Sequence, residues 1–464
     1  MKILLYGINF SPELTGIGKY TGEMAGWLAA HGHEVRVVTA PPYYPEWKVG
    51  GGFKNAYCVE DIRGGGAAPT GAGAPVFVGA APPGAGTPVF VGAAPPPRMQ
   101  VWRCPLWVPA RPGGLKRLLH LASFAVLSLP VMLRQIFWRP DVVWVVEPAL
   151  FCAPAAVAVA RLSGAQAWLH VQDFEVDAAF ALGLLRGAFL RRMVAGTERW
   201  LMRRFDVVST ISQRMHQRLL DKGVAPERAV LAPNWVDISA ITPGGNDVGM
   251  NFRAQLGISP DAVVALYSGN MGAKQGLELL ADLARLCLAD SASNMPLEHE
   301  QHARAAIIFV FCGNGAGRAD LVQRCAGLPN VHFLDLQPIE RLNELLAMAN
   351  IHLLPQRADA ADLVMPSKLT GMLASGRPVV ATALPATELD SVVTGAGCGL
   401  VVPPGDAQAF ADAVQMLANA PELREQMGRA GRIYAETHLD RDAVLQQFEA
   451  RLMLGRRSAL KNAS

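Results

Sequence analysis

Charge is what this chain has least of. Asp, Glu, Lys and Arg make up only 17% of its 464 residues, and they nearly cancel, leaving a net +3. So small an excess over this length excludes the concentrated basic surface that a nucleic-acid partner calls for. Paired cysteines are missing too: Cys58, Cys104, Cys152, Cys287, Cys312, Cys325 and Cys398 contain no C-x-x-C, and their count is odd. Neither a disulfide framework nor a thiolate metal site is indicated, and they read as reduced, mostly buried thiols. The apolar run Ile3-Leu4-Leu5-Tyr6-Gly7 is too short for a signal peptide and has no small-residue cleavage site, so a cytoplasmic protein is expected. No apolar run reaches the ~20 residues of a spanning helix. The nearest, residues 118–133 (LLHLASFAVLSLPVML), holds Pro130 and is flanked by Lys116, Arg117 and Arg134, so it is expected to lie in a membrane interface rather than cross it.

What the chain does have is apolar bulk, 51% of residues, enough for two large domains at ~100–200 residues each. The first forty residues alternate as a βαβ unit does. After the run at 3–7 comes a glycine-bearing turn, then Tyr20, Met24, Trp27 and Leu28 at i, i+4, i+7 and i+8, then Gly32 and a β-branched run at 35–38. Further apolar runs at 141–146, 166–171, 206–211, 262–268, 306–312, 351–355 and 378–382 are separated by helix-length segments. That spacing predicts an α/β chain of two Rossmann-like, doubly wound parallel-sheet domains. The break falls at Pro233-Asn234-Trp235-Val236-Asp237, giving domains 1–230 and 231–437, with a C-terminal helix over 438–464 expected to pack back on the first.

Two segments read as surface excursions. Residues 71–83 and 84–96 repeat with period 13 and a single mismatch, Ala74 against Thr87, inside a Pro-Gly-Ala-rich insertion at 64–97 that cannot bury a core. The loop 288–305, with His299 and His302, is a solvated excursion rather than a metal site. The stretch 181–204 sets Arg186, Arg191, Arg192, Arg199, Arg203 and Arg204 among Leu, Phe, Met and Trp, as a basic amphipathic helix facing anionic lipid would. Core helices of an α/β domain are the plainer alternative for this stretch and for 118–133.

Thr15-Gly16-Ile17-Gly18-Lys19 lies between the first strand and first helix, where backbone N–H groups receive an anion or let a substrate approach. A dinucleotide fingerprint would put a third glycine at Thr21, and the Gly313-Asn314-Gly315-Ala316-Gly317 turn also has the wrong spacing, which disfavours a dehydrogenase. Other motifs follow in order: His170-Val171-Gln172-Asp173, Pro233-Asn234-Trp235-Val236-Asp237, Ser268-Gly269-Asn270-Met271-Gly272-Ala273-Lys274, and Met365-Pro366-Ser367-Lys368-Leu369 before Ala374-Ser375-Gly376-Arg377-Pro378. Together they resemble the retaining glycosyltransferases of family 4, over nearly the whole chain apart from the two insertions. Within that family Pro41-Pro42-Tyr43-Tyr44-Pro45-Glu46-Trp47, the run 170–177 and Pro366-Ser367-Lys368-Leu369-Thr370 are similar to the branch that places fucose on a lipid-linked glucose in colanic acid biosynthesis.

The resemblance implies the GT-B fold, two such domains facing across a cleft. It also implies a nucleotide-sugar donor (GDP-fucose), a polyprenyl-diphosphate-linked sugar acceptor, the anionic inner leaflet as a partner surface, no cofactor and no metal. A leaving nucleoside diphosphate needs fixed cations and N–H donors. Lys274 and Lys368 would be the cations, with Asn270 where many relatives have arginine and Gly313 beside it. Gly16 and Gly18 would border the diphosphate from the other domain, and His170, with Asp173 as its neighbour, would stand near the transferred sugar. One departure stands out: the family's two glutamates fall at Leu363 and Gly371, and only Asp362, one residue early, could replace the first. A non-catalytic subunit of polysaccharide assembly and a nucleotide-sugar 2-epimerase are the alternatives.

Overall fold

Alternation decides how the second half of the chain packs. Val264, Leu266, Val310, Cys312, Leu354, Val379 and Ala381 enter one buried cluster, while their neighbours Val263, Ala265, Tyr267, Phe309, Phe311, Leu353 and Val380 enter another. Successive strand residues point to opposite faces, so two apolar clusters mean a sheet buried on both sides, as parallel sheets are. The computed structural model describes residues 1–13, 16–44, 46–63, 98–110, 113–147, 150–174, 188–244, 246–272, 275–293, 306–358 and 366–462. The insertion 64–97, residues 294–305 with His299 and His302, Arg186, Lys274 and Asp362 lie outside the described residues, whereas 288–293, expected in a loop, continue the helix Glu278–Ser293.

The first sheet contains β1 (Lys2–Tyr6), β2 (Glu34–Thr39), β3 (Cys58–Arg63), β4 (Arg98–Arg103), β5 (Val142–Glu147), β6 (Gln166–Val171), β7 (Val207–Thr210) and β8 (Ala229–Leu231), in the order β3-β4-β2-β1-β5-β6-β7-β8. β1 runs parallel to β2 and β5, with Leu5 opposite Val37 and Trp144, whereas β3 lies antiparallel on β4 at the edge. The second sheet contains β9 (Val263–Ser268), β10 (Ile307–Cys312), β11 (Val331–Leu334), β12 (Ile351–Leu354), β13 (Val379–Thr382) and β14 (Gly399–Val402), in the order β11-β10-β9-β12-β13-β14. In each, the chain winds outward from the first strand and then reverses to its other side, at β1/β5 and at β9/β12. Ligands of such sheets bind beyond the carboxyl ends at these reversals.

Contacts group the chain into two compact units: Met1–His170 with Arg204–Asp206 and Leu452–Ser464, and Val171–Arg203 with Val207–Arg451. In the first, Gly455 of the final helix Arg441–Asn462 lies against Gln166, whose amide nitrogen would stand 2.1 Å from an added Cβ. Six of the seven cysteines are buried; Cys58, on edge strand β3, is exposed.

Helix α1 (Gly16–Ala30) follows β1, and helix α2 (Gly114–Trp138) corrects the expectation of a 16-residue apolar stretch. It runs 25 residues with Pro130 inside, because the flanking charged residues continue the helix at both ends. By length and composition its Lys116–Trp138 segment could cross a membrane. Its inner face decides how it is used. His120, Leu121, Phe124, Ser128, Met132, Gln135 and Trp138, at helical spacing, are buried. Ser128 Oγ lies 2.6 Å from the Tyr6 hydroxyl, Gln135 accepts from Arg36 at 3.0 Å, and Trp138 donates to Glu34 at 3.0 Å. Crossing a bilayer would break these bonds to the sheet. The outer face exposes Leu119, Val126, Leu127, Leu129, Leu133 and Phe137.

In the second unit, helix Ala188–Met202 exposes Phe189, Met193 and Trp200 beside Arg191, Arg192 and Arg199. It is held from inside by fully buried Glu198, whose carboxylate accepts from Lys222 at 2.5 Å. That ammonium also stands 5.1 Å from the Phe174 ring.

Candidate functional site

In the second unit, the loops after β9 and β10 interlock, and their glycines explain how. An added Cβ at Gly313 (φ +151°) would stand 1.9 Å from the Gly269 carbonyl oxygen, and at Gly315 (φ +146°) 2.6 Å from that of Met271. Backbone bonds lace the loops together: Gly269 N–H donates to Cys312, Met271 N–H to Asn314 and Gly317 N–H to Met271, each within 2.9 Å. The glycines therefore permit two backbones to touch, a requirement that differs from the dinucleotide spacing.

Beside this knot lies Lys368, the first residue of helix Lys368–Ala374, which follows β12. Gly269 (φ +127°) leaves room for it: an added Cβ would meet the Lys368 Cε at 3.4 Å. The Lys368 ammonium donates to the Tyr267 hydroxyl at 2.8 Å and lies 4.1 Å from its ring centroid. The Tyr267 hydroxyl donates in turn to the Asn270 carbonyl at 2.7 Å. Loss of water lowers the Lys368 pKa to about 7. So Asn270, Gly313 and Lys368, distant in sequence, gather at the β9/β12 reversal. Tyr267, which joins two of them, was not foreseen, because an aromatic in an apolar strand reads as core. Gly371 carries no carboxylate, and its missing side chain would face Leu346 at 3.5 Å.

In the first unit, Gly16 (φ +62°) opens α1 with nothing within 4 Å of an added Cβ among the described residues, whereas Gly18 is hemmed in. An added Cβ at Gly18 would stand 2.7 Å from the Glu13 Cβ and Oε2. Glu13 is buried and accepts from Asn9 Nδ2 at 2.9 Å and from the backbone N–H groups of Tyr43 and Tyr44, both at 3.2 Å. Burial raises its pKa to about 7 against the pull of these donors and of the Arg103 charge. Arg103, also buried, donates to the carbonyls of Ala40 and Ser11 and pairs with Glu60 at 2.7 Å. Glu13 thus ties the turn after β1 to the loop after β2. The signal in the sequence was an acid in the otherwise uncharged run 3–18.

His170 stands on β6, buried and stacked on Trp144 at 5.2 Å between ring centroids. Burial pushes its pKa down to about 3, so the imidazole is neutral near pH 7 and offers a hydrogen bond rather than a charge. Asp173 lies half-buried in the segment after β6. There Gln172 and Asn234 exchange amide hydrogen bonds at 3.1 and 3.3 Å, which fastens that segment to the Pro233-Asn234-Trp235 turn.

Two doubly wound sheets, each with a glycine turn at its reversal, define an α/β protein of the class whose ligands bind beyond the carboxyl ends of the strands. Residues 15–235 match the model of the glycosyl transferase 4-like domain, and residues 262–420 that of glycosyl transferases group 1. An Escherichia coli (strain K12) protein provisionally named colanic acid biosynthesis glycosyl transferase WcaI is 41% identical over 97% of this chain and 98% of its own. The chain belongs to the family-4 glycosyltransferases. Its fold is GT-B: sucrose-phosphate synthase from Thermosynechococcus elongatus superposes with a TM-score of 0.67 at 17% identity over 100% of both chains. Anabaena HepE in complex with UDP and glucose gives 0.61 at 15% identity over 98% of this chain and 99% of its own.

Proposed function

We propose that this glycosyltransferase moves fucose from GDP-fucose, with retention of configuration, onto a sugar carried by polyprenyl diphosphate, in assembly of a colanic-acid-type exopolysaccharide at the inner face of the membrane. The end-to-end identity with the colanic acid relative supports glycosyl transfer in exopolysaccharide assembly, and the fucose donor, retention and lipid-linked acceptor follow the motif resemblance. The chemistry agrees with it. A departing diphosphate needs positive charge close by, and Lys368, with Lys274 beyond Asn270 in sequence, would meet it at the β9/β12 reversal. Neutral His170 would hydrogen-bond the sugar, with Asp173 beside it. A polyprenyl acceptor stays in the bilayer, and the apolar outer face of α2 and the arginine-bearing helix Ala188–Met202 are surfaces suited to reach it.

A melting-temperature panel with GDP, UDP, ADP and dTDP tests the donor, since a nucleotide stabilises only the fold that binds it. GDP alone is expected to stabilise, and GDP-fucose to give a fucosylated product on polyprenyl-diphosphate-linked glucose. Stabilisation by UDP without GDP would overturn the donor assignment.

A further inference from the structure

Aromatic side chains gather where the loop after β2 meets the first turns of α2. Tyr43, Trp47 and His120 form a closed triangle of rings, with centroids 4.7 Å apart for Tyr43 and His120, 5.1 Å for Trp47 and His120, and 5.6 Å for Tyr43 and Trp47. Tyr43 and His120 are buried, and Trp47 keeps part of its surface in solvent. We propose that Trp47, backed by Tyr43 and His120, is the platform on which the sugar ring of the lipid-linked acceptor stacks. This rests on the transferase reading above and assigns one of its substrates a residue.

Four observations carry it. The first is place. The Tyr43 and Tyr44 N–H groups are bound by Glu13, so the platform is fastened to the glycine turn beyond the carboxyl end of β1, on the side where such sheets take ligands. The second is strain. Trp47 has φ +52°, a left-handed backbone that glycine adopts freely and a bulky residue does not, and such residues concentrate at ligand sites. The third is an unfilled bond. His120 Nδ1 donates to the Trp107 carbonyl at 2.6 Å, which leaves Nε2 as an acceptor, buried and without a partner among the described residues. A sugar offers both matching features: a C–H face that lies against an aromatic ring, and hydroxyl donors at its rim. The fourth is continuity with the lipid. The half-exposed Trp107, whose N–H is bound by Ser123 of α2, stands at the same end of the helix, as do exposed Lys116 and Leu119, and the apolar outer face starts there. An interfacial tryptophan and a lysine at the end of an apolar face mark headgroup level, where the diphosphate and first sugar of a polyprenyl carrier sit.

The test uses the full chain and a glucosyl diphosphate on a short polyprenyl chain, with binding read by titration calorimetry and GDP binding read separately by melting temperature. Trp47→Gly removes the ring and releases the left-handed strain. It is expected to weaken probe binding at least tenfold while the melting temperature and the GDP shift hold. Trp47→Phe should recover most of the affinity. Should Trp47→Gly melt early, Trp47→Leu keeps the apolar bulk without the aromatic face, and its loss of affinity supports the platform just as its retention overturns it. Probe binding by Trp47→Gly within twofold of the parent, or no probe binding by the parent, sinks the platform. The GDP shift decides the donor assignment independently.

Discussion

The Lys368 ammonium donates to the Tyr267 hydroxyl at 2.8 Å over the ring of the same tyrosine, and that hydroxyl donates in turn to the Asn270 carbonyl. A cation so placed keeps little water, and its pKa falls to about 7. An incoming diphosphate would hold the proton on. Nucleotide affinity is therefore expected to fall as pH rises from about 7 to about 9, with proton uptake on binding. Calorimetry in two buffers of different ionisation enthalpy measures both. Lys368→Met should flatten the slope and weaken binding by about 1.5–3 kcal/mol, the range for a charge-assisted hydrogen bond. An affinity that ignores pH in the parent would remove Lys368 from the donor site.

Glu13 supports its turn through three donors. Glu13→Ala leaves them buried without an acceptor and should cost about 1–3 kcal/mol. Glu13→Gln should cost less, because the Asn9 amide can turn to match it. The folded-state pKa is raised from 4.5 to about 7, so the stabilisation tied to this proton is complete below 4.5 and lost as pH rises through about 7. Urea unfolding at about pH 5 and about pH 8 should show the parent losing stability between them and Glu13→Gln losing less. Parallel pH profiles for the two proteins would refute this.

Two glycines separate backbone freedom from close approach. Gly16→Ala meets no neighbour among the described residues and should cost only its left-handed φ, about 1–2 kcal/mol. Gly313→Ala would drive a methyl into the Gly269 carbonyl, so the β9 and β10 loops must part, and it should lower both melting temperature and nucleotide affinity further than Gly16→Ala. Equal effects would mean that the interlock is not needed to shape the site.

Membrane binding should divide into two parts. Arg191→Gln with Arg192→Gln is expected to remove salt-sensitive binding to anionic liposomes, at about 1 kcal/mol for each charge. Leu133→Ser with Phe137→Ser should reduce the part that survives salt, since apolar insertion is not screened. A parent that ignores anionic liposomes at low salt would contradict both.

The strands on either side of the two reversals were legible, because parallel strands buried on both faces read as continuous apolar runs: 166–171 and 306–312 became β6 and β10 almost residue for residue. The strands β3 and β4 were not. CVEDIR on the exposed edge and RMQVWR beside it both carry charged residues, which weakens any apolar signal. The 16-residue run at 118–133 understated α2, since Lys116, Arg117, Arg134 and Gln135 interrupt the apolar signal while the helix continues through them. In the site, Asn270, Gly313 and Lys368 announced themselves by motif, but Tyr267 and the clasp of Glu13 on Tyr43 and Tyr44 depend on contacts that no local spacing encodes.

The lone exposed thiol offers a practical handle. Cys58 faces Arg103 across the β3–β4 ladder, and Arg103 donates to the Ser11 and Ala40 carbonyls at the base of the glycine turn. Partial burial and the Glu60 charge raise the Cys58 pKa, so a maleimide dye would couple slowly at neutral pH and faster in mild base. The six buried thiols would be spared under the same conditions. A fluorophore installed there, without removing any native cysteine, would sit across the ladder from the arginine that holds the Ser11 carbonyl and report rearrangement of the turn in real time.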